Sequence, residues 1–120
     1  MTNWFLISGA ILSFLGLIFH GFIGGKIYGT NINKSDLEPL GKTLSMFAWQ
    51  FHTIFLFIIS CTLIYIANNP EFAIAAYPII YMNMLGAIYF FILGIGNREF
   101  LKMPGAILMG SIALLAWLGI

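Results

Sequence analysis

The sequence predicts an all-α membrane protein, folded as one domain over residues 1–120: an antiparallel bundle of four transmembrane helices with both termini on the non-cytoplasmic side. Hydrophobic residues make up 61% of the chain and charged residues 8%, whereas a soluble domain carries about 25% charged residues. The apolar residues form four runs, each close to the ~20 residues that cross a hydrocarbon core. These runs cover about 4–25, 44–67, 72–95 and 101–120.

The positions of lysine and arginine predict how the four runs are oriented. All five basic residues lie in two connections: Lys26, Lys34 and Lys42 between the first two runs, and Arg98 and Lys102 between the last two. Basic connections stay on the cytoplasmic side of a membrane, which puts both termini outside. Lysines beside a span also meet anionic lipid headgroups, so we expect that role for the three lysines of the first connection.

The first connection, residues 26–43, is the longest, and we expect it to form a cytoplasmic loop. Within it, Ser35 and Glu38 have the spacing of a helix capping box, and Pro39 would follow in the first helical turn. This pattern predicts either a short interfacial helix in the loop or an early start to the second membrane helix.

Small and polar residues at helical spacing predict which faces point into the bundle. In lipid, helices associate through close van der Waals contacts and interhelical hydrogen bonds, so packing faces are enriched in such residues. The inward positions of the four runs are, in order, Gly9, Ser13, Gly16, His20 and Gly24; Ser45, Trp49, His52, Leu56, Ser60 and Leu63; Ala76, Asn83, Gly86, Gly94 and Asn97; and Ala106, Gly110, Ala113 and Trp117. Close packing is the favoured role of the glycines, and making room for a flat ligand is the alternative.

Two histidines within the apolar runs are the candidate functional residues. His20 and His52 are expected at similar depth on the cytoplasmic side of the midplane, near enough to approach each other, with Asn83 close to the midplane. Ionisable residues inside a membrane are candidates for function. The plainest interpretation is nevertheless a hydrogen-bonded contact that fixes the register of the helices, with no cofactor.

Three sharper interpretations of the histidines stay open. Haem b could bind between the two imidazoles, with Gly16, Gly86 and Asn83 in the pocket and Gly110 also admitting the porphyrin. Copper or zinc could bind the histidines together with methionine ligands, the candidates being Met46, Met82, Met84 and Met109. A quinone, lipid or proton site, open to the cytoplasm, could use His52, Trp49 and the basic loop.

Other functional classes find little support in the sequence. No nucleophile, phosphate-loop or zinc-binding motif is present, and the net charge of +1 gives no basis for nucleic-acid binding. The sequence therefore favours a non-enzymatic accessory or binding component of a membrane assembly. Its partner would be the lipid bilayer together with another membrane protein or further copies of the chain, contacted through the GxxxG of Gly21 and Gly25, expected to face lipid.

Three segments resemble the YgdD-like family of small four-span membrane proteins. The segment ending in His20 (Gly16-Leu17-Ile18-Phe19-His20), the segment Phe51-His52-Thr53, and the Gly-rich last run from Pro104-Gly105 through Gly110 to Trp117-Leu118-Gly119 carry the likeness. The resemblance implies a four-span fold and location in the bacterial inner membrane. It also places both histidines on matching positions, but it implies no mechanism, because the family has no established molecular function.

Overall fold

The structure, a computed structural model, describes residues 2–120 and consists over that range of four long helices with no β-strand. They are α1 (Trp4–Asn33), α2 (Pro39–Asn68), α3 (Pro70–Gly94) and α4 (Arg98–Leu118), each long and apolar enough to cross a membrane. The predicted all-α fold with four spans is confirmed at this level. Such a chain is typical of a multi-pass membrane protein.

The helix boundaries follow local sequence signals. α3 begins with a 3-10 turn, Pro70–Ala75, before regular helix over Ala76–Gly94, and proline fits this first turn because its missing N–H has no partner there. α4 consists of the single turn Arg98–Leu101 and the helix Gly105–Leu118. Between α3 and α4 the chain reverses at Gly96, whose φ of 77° is the one positive value among residues 2–120.

The first connection is much shorter than expected. The predicted loop 26–43 is reduced to residues 34–38, because α1 continues to Asn33 and α2 already begins at Pro39. Of the two alternatives, the structure has the early start of α2 and no separate interfacial helix. At 1.5 Å per residue, a 30-residue helix is about 45 Å long, whereas the hydrocarbon core is about 30 Å thick. Both α1 and α2 have 30 residues, so each is longer than a single crossing of the hydrocarbon requires.

The added turns of α1 are held by α2. Tyr28 stacks on Trp49 with ring centroids 4.3 Å apart, and Lys42 Nζ donates to the Asn33 carbonyl at 2.9 Å. The expected capping box does not form. Ser35 Oγ instead donates to the carbonyl of Ile32 at 2.6 Å, in the last turn of α1, which extends to this point.

The core occupies one half of the bundle, which we call the terminal half because it holds both chain termini. There Asn3 Nδ2 donates to the Gly119 carbonyl. Two buried serines join α1 to α2: Ser13 Oγ donates to the Leu56 carbonyl at 2.7 Å, and Ser60 Oγ donates to the Ala10 carbonyl at 2.9 Å. The buried apolar core consists of Leu6, Ala10, Leu56, Ile59, Leu63, Ile66, Ala76, Ile79, Ile80, Ile112 and Ala116.

The other half of the bundle carries the five basic residues, and we call it the basic half. α1 packs against α2 and α4, and α4 packs against α3, whereas α2 meets α3 mainly around the turn Pro70–Ala75. Buried positions stop at Gly16 in α1, apart from Gly25, and begin only at Leu56 in α2. The pair α1–α2 and the pair α3–α4 are therefore joined in the terminal half and separated in the basic half.

Most of the predicted inward positions are buried or half-buried, with two exceptions. Trp117 is 55% exposed and lies on the outer face, where an indole is suited to the membrane interface. Asn97 is exposed because it lies before the turn Arg98–Leu101 and caps it, accepting from the Phe100 N–H at 3.1 Å.

The expectation that Gly21 and Gly25 face lipid is wrong. A Cβ at Gly21 would lie 2.6 Å from Thr53 Cγ2, and a Cβ at Gly25 would lie 2.7 Å from Gln50 Nε2. Both glycines therefore let α1 pack closely on α2 within the chain, and this GxxxG gives no support to an oligomer.

Candidate functional site

A large cavity lies in the basic half, between the α1–α2 pair and the α3–α4 pair. We call it the main cavity; its volume is about 1010 Å³. Its lining is largely apolar, with aromatic rings from all four helices. The polar groups on its walls are His20, Tyr28, Asn31, Ser45, Trp49, His52, Tyr89 and Lys102.

Several inward positions of the basic half that border the main cavity carry small side chains. Gly16 and Gly24 line it from α1, Ala48 from α2 and Gly86 from α3. In the terminal half, buried leucine, isoleucine and alanine side chains fill the space between the helices. The same stripe of small residues also brings helices into close contact, within the α1–α2 pair at Gly24 and between α1 and α4 at Gly16.

A smaller cavity of about 280 Å³ lies between α2 and α3, and we call it the side cavity. Met82, Asn83 and Phe55 line it. It shares Ala48, His52, Gly86 and Met109 with the main cavity. His52 therefore stands where the two cavities adjoin, beside the buried Asn83.

The helical hydrogen-bonding pattern of α1 changes to π over Phe19–Gly24, the segment that contains His20. Widened turns of this kind are frequent at functional sites, and they leave backbone groups without their regular partners. Two side chains of α2 supply donors here. Trp49 Nε1 donates to the His20 carbonyl at 3.0 Å, and Gln50 Nε2 donates to the Gly21 carbonyl at 3.3 Å.

The structure brings His20 and His52 into contact, as their expected depths suggested. Their ring centroids are 4.9 Å apart, with the rings edge to face at 74°. On its other side His20 stacks on Trp49, with centroids 4.2 Å apart and an angle of 9°. Tyr28 covers the second face of Trp49, so His20, Trp49 and Tyr28 form one continuous stack at the cavity wall.

A chain of hydrogen bonds fixes which nitrogen of His20 carries the proton. The Gly21 carbonyl can only accept, so the Gln50 atom facing it is Nε2 and the amide oxygen faces Thr53. That oxygen accepts from the Thr53 hydroxyl at 2.9 Å, which uses the only proton of the hydroxyl. Thr53 Oγ1 must then accept from Nδ1–H of His20 at 3.0 Å. Nε2 of the neutral ring therefore keeps its lone pair.

Several polar atoms of the site make no hydrogen bond to the described part of the chain. They are Nε2 of His20, both ring nitrogens of His52 and Oδ1 of Asn83, whose Nδ2 donates to the Ile79 carbonyl at 2.9 Å. Within residues 2–120, no side-chain nitrogen or oxygen is both buried and without a partner. These atoms are therefore reachable by a ligand, and their residues line the main and side cavities.

The histidine geometry does not suit a haem bound between the two rings. Two axial imidazoles approach the iron from opposite faces of the porphyrin, whereas these rings touch edge to face and His20 is stacked on Trp49. In residues 2–120, no group of three or more His, Cys, Asp or Glu residues could hold a metal ion. Met82 and Met109 line the side cavity with His52, while Met46 lies against Gly29 instead.

The glycines expected to admit a flat ligand are in part filled by neighbouring side chains. A Cβ at Gly16 would lie 2.8 Å from Leu108 Cδ2, and a Cβ at Gly86 would lie 2.7 Å from Met109 Sδ. Their main contribution is therefore the approach of α4 to α1 and α3. Gly110 has only Ala87 nearby, at 3.9 Å from such a Cβ.

The lysines of the first connection differ in their surroundings. Lys26 and Lys34 are exposed, whereas Lys42 is half-buried and bonded to the end of α1. Lys102, at the rim of the main cavity, forms an exposed ion pair with Glu99 at 2.8 Å.

Gln50 and Thr53, together with the π segment, are the parts of the site that sequence reasoning did not assign. The signal available was the coincidence of three hydrogen-bonding side chains, Trp49, Gln50 and Thr53, on α2 with a glycine-rich stretch of α1. Comparison of the chain with protein-family models, with curated proteins and with solved structures found no match. The resemblance to the YgdD-like family stays a prediction.

Proposed function

We propose that this chain is a non-enzymatic binding component of a membrane, which holds an amphiphilic molecule in the main cavity. The observation that carries the proposal is the cavity itself, with about 1010 Å³ of largely apolar space and a few polar groups on its walls, of which only Lys102 is charged. Small-molecule sites are mostly apolar, with a few convergent polar groups, and reach volumes of about 1,000 Å³.

The chemistry of the walls indicates the class of occupant. An apolar space of this size within a bilayer is filled at lower free energy by an apolar tail than by water. The reachable polar atoms of His20 and His52 border the main cavity and that of Asn83 borders the adjoining side cavity, whose lining contains no charged residue. These features favour a molecule with a small neutral polar head and an apolar tail.

The orientation of the protein is part of the proposal. Contacts of α1 with α2 pair Ala10 with Ser60, Ser13 with Leu56, and His20 with Thr53. Along these three pairs the residue number in α1 rises while the residue number in α2 falls, which supports an antiparallel course of the two helices. The Asn3–Gly119 bond supports termini on one side.

The five basic residues then favour a cytoplasmic position for the basic half. The ligand would enter from the cytoplasmic leaflet of a bacterial inner membrane, with Lys26 and Lys34 free to meet anionic headgroups. Association of the chain with a membrane-protein partner stays a prediction from the sequence.

Trp49 provides a direct reporter of the cavity. The chain has three tryptophans, and replacing Trp4 and Trp117, both in the terminal half, with phenylalanine leaves Trp49 alone at the cavity wall. A brominated aromatic methyl ether with an alkyl tail quenches an indole that it contacts. We expect saturable quenching of Trp49 by this probe in lipid nanodiscs.

A matched pair of variants on α2 separates the cavity from the surrounding lipid. Ala48 lines both cavities, and Ala48→Phe places a ring in the space. Cys61 is exposed on the same helix away from the cavities, so Cys61→Phe adds a ring to the lipid-facing surface. The proposal predicts that Ala48→Phe abolishes saturable quenching and that Cys61→Phe leaves it unchanged. Quenching that rises linearly with probe and is equal in both variants contradicts it.

A further inference from the structure

The polar atoms that face the cavities have a definite hydrogen-bonding character. We propose that the ligand's head is a phenol or quinol, whose hydroxyl donates to Nε2 of His20. This inference rests on the proposed function, because it names the class of molecule that the main cavity takes. A head with only carbonyl acceptors would offer no donor to this nitrogen.

The first argument is the direction of the hydrogen-bond chain. Gln50 and Thr53 together force the proton of neutral His20 onto Nδ1. A ring nitrogen without a proton only accepts. The occupant of the cavity must therefore supply the donor for Nε2.

Asn83 supplies an independent second argument. Its side chain is only 2% exposed, and its Nδ2 is already engaged with the Ile79 carbonyl. Oδ1 makes no bond to the described part of the chain, yet it is not sealed from the side cavity that Asn83 lines. A polar atom at such a depth needs a partner to offset the cost of its desolvation. An amide oxygen only accepts, so Oδ1 also needs a hydrogen-bond donor from the ligand.

Around the two histidines and Asn83, hydrogen-bond acceptors outnumber donors. Neutral His52 offers one donor and one acceptor, while His20 Nε2 and Asn83 Oδ1 add two acceptors. Three acceptors and one donor suit hydroxyl groups better than carbonyl groups. The aromatic rings of Phe19 and Phe90 line the main cavity with His20, and aromatic surroundings favour an aromatic head.

The test compares two probes that differ in one proton: a brominated alkylphenol and its methyl ether, both measured by quenching of Trp49. A site with a committed acceptor rejects a head that lacks the donor, since the acceptor is then left unpaired. We expect the phenol to bind about tenfold more tightly than the ether, which corresponds to about 1.4 kcal/mol.

Thr53 variants test the cause of that preference. Thr53→Val keeps the shape of the side chain that packs against Gly21 and removes the oxygen that holds Nδ1–H of His20. The ring can then place its proton on Nε2, where it can donate to the ether oxygen, so we expect the preference for the phenol to fall below about threefold. Thr53→Ser retains the oxygen and should restore the preference.

The outcomes separate the two proposals. If both probes quench Trp49 saturably and with equal affinity, the hydroxyl inference is overturned while the cavity remains a binding site. If neither probe binds saturably, the proposed function falls as well. A preference for the phenol that persists in Thr53→Val and in His20→Phe also overturns the inference, because the donor would then be recognised elsewhere. Circular dichroism and size-exclusion profiles identify any variant that does not fold.

Discussion

Reciprocal serine hydrogen bonds hold α1 to α2 in the terminal half, and their removal gives a measurable loss of stability. Ser13 donates to the Leu56 carbonyl at 2.7 Å and Ser60 donates to the Ala10 carbonyl at 2.9 Å. Both side chains are almost fully buried, at 0% and 4% exposure. The perturbation is the double substitution Ser13→Ala and Ser60→Ala.

The expected magnitude follows from what each substitution leaves behind. Leu56 and Ala10 lie within helices, where the backbone provides their carbonyls with a regular partner, so loss of a hydroxyl orphans no acceptor. Interhelical hydrogen bonds in membranes average about 0.6 kcal/mol and reach about 1.7 kcal/mol. Two of them give about 1.2 kcal/mol, which lowers the folding equilibrium constant about eightfold.

The assay is equilibrium unfolding in mixed micelles with an increasing fraction of dodecyl sulfate, followed by helical circular dichroism. Ser8, exposed on the same helix, provides the control: Ser8→Ala should change the free energy of unfolding by less than about 0.5 kcal/mol. A double variant as stable as this control would refute the assignment of the two serines as interhelical ties. A loss above about 3 kcal/mol would contradict the two-bond estimate.

Three further predictions concern the backbone, the π segment and the end of α1. Gly96→Ala should destabilise the fold by about 1–2 kcal/mol because the φ of 77° at this position disfavours a side chain. Gly41→Ala should instead stabilise the fold by about 0.5–1 kcal/mol, because Gly41 lies inside α2 and an added Cβ would make only ordinary contacts. The same unfolding assay measures both changes. Trp49→Phe removes the donor to the His20 carbonyl, so amide exchange over residues 19–25 should accelerate about fivefold, while residues 6–13 stay unchanged in mass spectrometry. Lys42→Met should cost less than about 0.5 kcal/mol, since its bond to Asn33 is exposed; a larger shift of the unfolding midpoint would contradict this.

Apolar run length and small-residue spacing were sufficient to predict the four helices and their inward faces. The positions Gly9, Ser13, Gly16 and Leu56 are buried as expected, because burial in a helix follows its period. The end of α1 was missed because hydropathy reports only where a chain enters hydrocarbon. Whether the helix continues beyond that point depends on contacts such as Tyr28 on Trp49.

The candidate site was only partly predictable for a similar reason. The depth of His20 and His52 follows from counting residues along each run, and the structure has the two rings in contact. The void beside them depends on how two helix pairs splay, which no single periodicity encodes. The π segment depends on α2 supplying donors to α1, so it arises from tertiary contacts. The glycine pair Gly21 and Gly25 was misassigned because a GxxxG pattern does not distinguish an intramolecular partner from an external one.

Photolabelling would locate an occupant of the main cavity most directly. An alkylphenol that carries a diazirine on its ring, photolysed with the protein in nanodiscs, marks the residues that it touches. We predict adducts on Trp49, His52 and Met109, which line the cavity, and their loss when an excess of unlabelled alkylphenol is added. Adducts confined to outward residues such as Ile54 and Phe57, which are 53% exposed, and unaffected by competitor would contradict a binding function for the cavity.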